Sequence, residues 1–94
     1  MRVEWHPLAR TDLAELVAYI ANDNPSAAYR VHDDIRKQTA ALAKHPELGR
    51  PGRVRGTREL VVAGMPYVAA YRITGELVTV LRVLHGARRW PRKL

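Results

Sequence analysis

The chain holds 94 residues with a mass of 10.6 kDa, enough for one small hydrophobic core and too little for a second domain. Lysine and arginine number 16 against 9 acids, a net charge of +7, and 13 of the 16 are arginine, so the expected partners are anionic. A hydrophobic content of 47% excludes a disordered basic tail, and zero cysteines exclude disulfides, a thiol nucleophile and thiolate-held metal.

No apolar run is long enough for a membrane span or a secretory signal, so the expected setting is a reducing cytoplasm, away from membranes. Residues 2–6, Arg2-Val3-Glu4-Trp5-His6, alternate polar with apolar and predict a short half-buried strand ending at Pro7. From Pro7, apolar residues at Leu8, Ala9, Leu13, Leu16, Val17 and Ile20 fall at helical spacing and predict a helix over 7–21. Asn22-Asp23-Asn24-Pro25 breaks the chain, with Asn24 placed to cap a second helix and Pro25 in its first turn. That helix runs through Ala28, Val31, Ile35, Gln38 and Leu42 to a stop near His45 and Pro46, and forms an antiparallel hairpin with the first. Tyr19 and Tyr29, one on each helix, read as core or rim aromatics.

Residues 45–56 carry glycines at 49, 52 and 56, prolines at 46 and 51, and arginines at 50, 53 and 55, the composition of a cationic loop. Three strands follow at 57–63, 67–73 and 77–85, joined by the hairpin-length turns Gly64-Met65-Pro66 and Thr74-Gly75-Glu76. The last strand is almost wholly apolar, as suits a central strand. Residues 86–94 form a basic tail containing Trp90. The order β-α-α-β-β-β predicts an α+β fold, a mainly antiparallel twisted sheet with a helical hairpin packed on one face, as a single domain over 1–94. Polar and cationic residues on the other face would receive a ligand or macromolecule.

Arg50, Arg53, Arg55 and Arg58 lie in or beside the loop; Arg82, Arg88, Arg89, Arg92 and Lys93 follow from the last strand. If these segments are neighbours, they make one electropositive surface for phosphates or an acidic polypeptide. Four histidines, His6, His32, His45 and His85, fall in separate elements without ligand spacing, which predicts no metal site and no cofactor. Metal-free phosphodiester cleavage needs a base, an acid and cations, for which His85, Tyr67, Tyr71, Arg58, Arg72, Arg82 and Arg88 have the chemistry. His85 reads first as a strand-end histidine satisfied by backbone or packing, and only second as a proton-transfer group. Trp90 reads either as a stacking platform or as an anchor pinning the tail to the sheet. Ser26, the only serine, has no triad partners, and the glycines are not followed by the Lys-Ser/Thr of a phosphate-binding loop.

Several stretches, taken in order, resemble the RelE/ParE superfamily of bacterial type II toxin–antitoxin toxins over nearly the whole chain. They are Trp5-x-Pro7-x-Ala9-x-x-Asp12-Leu13, Tyr19-Ile20-Ala21-x-Asp23-Asn24-Pro25, Leu42-x-x-x-Pro46-x-Leu48-Gly49-Arg50, Gly56-Thr57-Arg58-Glu59-Leu60, Tyr67-x-x-x-Tyr71-Arg72 and Leu81-Arg82-Val83-Leu84-His85-Gly86-x-Arg88-x-Trp90-Pro91. The resemblance implies the β-α-α-β-β-β fold, an acidic antitoxin that wraps the toxin, and one of two activities: poisoning of DNA gyrase or ribosome-dependent mRNA cleavage. It implies an antitoxin docked on the hairpin through Leu13, Leu16, Val17, Ile20, Val31 and Ile35, with arginine salt bridges beside them.

RelE-like nucleases carry a basic pair on the first meander strand, an arginine on the middle one, and an arginine plus tyrosine after the last. Here the matching places read Arg58-Glu59-Leu60-Val61, Val68, and Arg88 followed by Trp90, so only Arg88 carries over. The expectation is therefore a ParE-like gyrase poison without chemistry of its own, contacting its target through Arg50, Arg53, Arg55, Arg58, Arg88, Arg89 and Trp90. The alternative is an mRNA interferase acting on the ribosome through Arg58, Arg82, His85 and Arg88.

Overall fold

The computed structural model describes residues 1–94. Strand β1 (Arg2–Trp5) turns Val3 and Trp5 toward the core. His6, expected as the last strand residue, instead caps helix α1 (Pro7–Asp23): its Nδ1 accepts from the Leu8 N–H at 3.1 Å. Pro7, which has no N–H to leave unpaired, takes the first helical position. Asn24 closes α1 and opens helix α2 (Pro25–Ala40), its Oδ1 accepting from the Ala27 N–H at 3.0 Å. The second helix is shorter than expected. The Thr39 hydroxyl bonds back to the carbonyls of Ile35 and Arg36 at 2.8 and 3.0 Å, and the chain then tightens into a 3-10 turn over Ala41–Ala43.

Inside the expected loop lies a two-residue strand, β2 (Arg50–Pro51), paired antiparallel with β3 (Arg58–Val61). No periodicity marks so short a ladder, and Pro51 has no N–H to donate to it. Strands β4 (Tyr67–Thr74) and β5 (Leu77–His85) complete the meander. Their tight turn uses Gly75 at φ 59°, the left-handed region where only glycine is unstrained. The five-stranded sheet has the order β1-β5-β4-β3-β2; β1 lies parallel to β5 and the other pairs are antiparallel.

The α1–α2 hairpin closes one face, where Ala9, Leu13, Ile35 and Leu42 pack on Leu60, Val62, Ala69, Tyr71, Val78, Val80 and Val83. A β-bulge makes this set possible. Tyr71 pairs with Val80 and Ala70 with Arg82, so Leu81 is the extra residue and Val80 and Val83 reach the same face although three positions apart. The other face, expected to be polar and cationic, is mixed: it carries Glu59 opposite Ala70 and Arg72 opposite Thr79, but it is apolar toward one end. Val68, Ala70 and Leu84, which alternate away from the helices, are all buried, and Gly86 lies close enough to Val68 that a β-carbon there would come within 3.2 Å of its Cγ2. Tyr19 and Tyr29 are not core residues: each is 75% exposed.

Candidate functional site: the loop and tail arginines

The cationic loop and the tail do meet. Arg53 places its guanidinium over the Trp90 ring, 3.8 Å from the centroid, and its Nη1 donates to the Gly86 carbonyl at 3.4 Å. Trp90 is tied from its other side, the indole N–H donating to the His85 carbonyl at 3.1 Å. Trp90 therefore pins the tail in this structure.

Not all the expected target-binding arginines are free to bind. Glu59 is buried with its side chain 2% exposed, and its two oxygens receive the Arg53 N–H at 2.7 Å, Arg53 Nε and Nη2 at 3.1 Å each, and Arg50 Nη2 at 3.2 Å. Burial pushes its carboxyl up, but the hydrogen bonds and charge of Arg53 and Arg50 outweigh burial and hold it below its ordinary value. Arg58 turns back into the chain, donating to the carbonyls of Gly49 at 2.7 Å and Glu47 at 3.4 Å. Arg55, Arg89, Arg92 and Lys93 are exposed and make no ion pair or side-chain hydrogen bond.

The residues of the alternative cleavage site do not converge. Arg58 and Arg82 lie on different strands opposite Tyr71 and Ala70 of β4, and their guanidiniums turn to different partners, the loop carbonyls and Asp12 of α1. His85 lies opposite Tyr67, four residues along β4 from Tyr71, or roughly 13 Å. Arg82 is already paired: Nε and Nη2 donate to the two oxygens of Asp12 at 2.7 and 2.9 Å, and that bond raises its pKa above the usual arginine value. Asp12 also accepts from the Val83 N–H at 3.0 Å, where β5 runs beyond the end of β1. Only His85 and Arg88 stay together, on a shallow depression of about 230 Å³ that they share with Tyr19, Tyr67, Asp12 and Glu15. Tyr67 meets the His85 ring edge-on at 6.0 Å, and His85 Nδ1 accepts from the Ala87 N–H at 3.1 Å. Glu15 adds a negative charge beside Arg88, and Asp12 is already committed to Arg82, so the depression is an unfavourable seat for a scissile phosphate.

The expected antitoxin groove also changes. Leu13 and Ile35 are 4% and 0% exposed and belong to the core, closed to a partner, whereas Leu16, Val17, Ile20 and Val31 are half-buried along the hairpin. The helical spacing was correct, but a stripe of apolar residues contains both the inner row that packs on the sheet and the flanks beside it.

Asp12 and Glu59 organise the site and were absent from the expected functional residues. Each carried a signal: Asp12 falls on the apolar stripe of α1, between Ala9 and Leu16, and Glu59 is the only acid between Glu47 and Glu76, set among arginines. No group of histidine and acidic side chains is arranged to hold a metal ion, and no helix is long and apolar enough to cross a membrane.

A meander capped by a helical hairpin, with a basic loop pinned to a basic tail, defines a small toxin-like domain of the RelE/ParE superfamily. The chain belongs to the family described as ParE toxin of type II toxin-antitoxin system, parDE, which matches residues 3–90. It is 45% identical over 93 residues to Y4kP, a protein of Sinorhizobium fredii named as a toxin, covering 99% of this chain and 96% of the relative. It is 38% identical over 89 residues to the toxin RelE3 of Caulobacter vibrioides, covering 93% of this chain and 96% of that one. Among solved structures it is similar to a chain of the chromosomal ParDE toxin–antitoxin system from P. aeruginosa, with a TM-score of 0.81 and 28% identity over 88% of this chain and 92% of that chain.

Proposed function

We propose that the chain is a growth-inhibiting toxin that acts by binding rather than by catalysis, with DNA gyrase as its target and an acidic antitoxin as its neutraliser. The observation that carries this reading is the internal commitment of two of its candidate cleavage cations. Arg82 is paired with Asp12 on α1 and Arg58 with carbonyls of the loop after α2, so each guanidinium already has its own partners. A metal-free cleavage site needs its cations aimed at the developing charge, and these two are aimed elsewhere. Membership of the ParE family supports the same choice. The target-facing surface is the loop and tail joined through Arg53 and Trp90, with Arg55 and Arg89 free for a negatively charged partner.

The antitoxin is a disordered acidic segment that folds along the hairpin on Leu16, Val17, Ile20 and Val31. Apolar burial makes that complex persist at high salt, and complete dissociation there would contradict it. The rival reading, ribosome-dependent mRNA cleavage through Arg58, Arg82, His85 and Arg88, predicts a different cellular lesion. Induced expression should arrest growth with gyrase-dependent breaks in the chromosome and intact transcripts. Arrest with cleaved ribosome-bound mRNA and an intact chromosome would overturn the proposal, as would unimpeded growth.

A further inference from the structure

We propose that Glu59 is a positioning residue for the C-terminal segment, holding the Arg53 guanidinium so that it docks Trp90 and fastens residues 86–94 to the loop after α2. The geometry joins three side chains: a buried carboxylate on the edge of a guanidinium, and an indole on its face. Glu59 accepts from Nε and Nη2 of Arg53 side by side, which fixes the plane of the guanidinium, and also from the Arg53 backbone N–H, which fixes the loop that carries it. The flat face of that plane is what Trp90 packs against, and the remaining edge, Nη1, reaches the Gly86 carbonyl.

Arg53 thus bridges the two segments, with Nε and Nη2 on Glu59 and Nη1 on Gly86. Its side chain is 38% exposed, so without a fixed partner it would sample many rotamers. Glu59 is 2% exposed and sits on a sheet strand opposite Ala70, a rigid base from which to aim it. Arg50, on the same carboxylate, cannot substitute, because it donates through a single nitrogen and lies under no aromatic ring. Sequence separation makes the effect nonlocal: an acid on β3 decides the position of a ring 31 residues later, since 90 − 59 = 31.

That a fastened tail aids target binding rests on the gyrase reading; the fastening itself does not. Trypsin cleavage of the full chain at the Arg88–Arg89 bond, followed by mass spectrometry, reports release of the tail, because a segment held by the Trp90 contact must come free to stretch out in a protease cleft. Arg53→Ala should speed that cleavage by about fivefold or more, the order of magnitude of a lost cation–π contact with its supporting bonds. Arg53→Lys keeps the charge but not the flat fork, and should release the tail almost as fully. Glu59→Gln should accelerate cleavage in the natural chain and add nothing in the Arg53→Ala background.

An unchanged rate in both Arg53 variants would overturn the proposal. So would a further acceleration by Glu59→Gln when Arg53 is already alanine, since Glu59 would then act on folding and not through Arg53. Should Glu59→Gln lose its cooperative melting transition, the two Arg53 variants decide alone. A released tail in a chain that leaves gyrase untouched would uphold the positioning role and remove only the target reading.

Discussion

Asp12 and Arg82, 70 residues apart, join α1 to the free stretch of β5 through two hydrogen bonds of 2.7 and 2.9 Å, and the same carboxylate closes the Val83 N–H. The pair is mostly shielded, with side chains 11% and 24% exposed. Asp12→Ala would leave a guanidinium and a strand N–H without partners, at a cost of roughly 2–3 kcal/mol. Urea denaturation should show that loss as a lower midpoint at an unchanged slope. A change below about 0.5 kcal/mol, the range of an exposed surface pair, would show that the pair is not structural.

Tyr71 performs a similar task under the loop. Its fully buried ring carries a hydroxyl that donates to the Pro46 carbonyl at 2.6 Å and accepts from the Gly49 N–H at 2.8 Å. Burial raises its pKa above the ordinary tyrosine value, against the lowering effect of the Gly49 N–H. Tyr71→Phe keeps the ring and orphans both backbone groups, which should cost roughly 1–3 kcal/mol by thermal or chemical denaturation. Gly49→Ala should be worse tolerated than most loop substitutions, because a β-carbon would come within 2.6 Å of the Tyr71 ring and 2.9 Å of the Glu59 carbonyl. A Gly49→Ala protein as stable as the natural one would contradict this packing.

Glu59 sets an acid limit on stability. Its folded-state pKa lies below the ordinary carboxylate value of 4.5, so folding releases protons when pH is near that value. Its stabilising contribution is therefore complete above the unfolded pKa and is lost as pH falls from there through the lower folded value. The denaturation midpoint should decline with acidification below about 4.5. Glu59→Gln should flatten that limb of the profile, and an unaltered limb would show that other carboxylates account for it.

The legible and illegible parts of this molecule divide on physical grounds. Helical spacing, the Asn24-Pro25 restart and the glycine turn at 75 are local signals, and the corresponding elements lie within a few residues of where those signals put them. Strand β2 was not legible because two residues carry no period, and its pairing depends on where β3 returns. Charge clustering correctly brought loop and tail together, but it counted Arg58 and Arg82 as free. Which arginine is spent inside the fold depends on where Asp12, Glu59 and the Gly49 carbonyl land, and those positions are set by tertiary packing and by the β-bulge at Leu81. The same packing placed Leu13 and Ile35 inside the core while leaving their neighbours on its flank.

The most direct measurement adds the purified chain to gyrase and plasmid DNA, beside a translation reaction programmed with defined mRNA. Accumulation of trapped gyrase–DNA cleavage complexes, reversed by antitoxin, with every transcript intact, is the result expected of a toxin whose arginines bind and do not cleave. Undisturbed supercoiling together with codon-site cuts in the ribosome-bound message would contradict it.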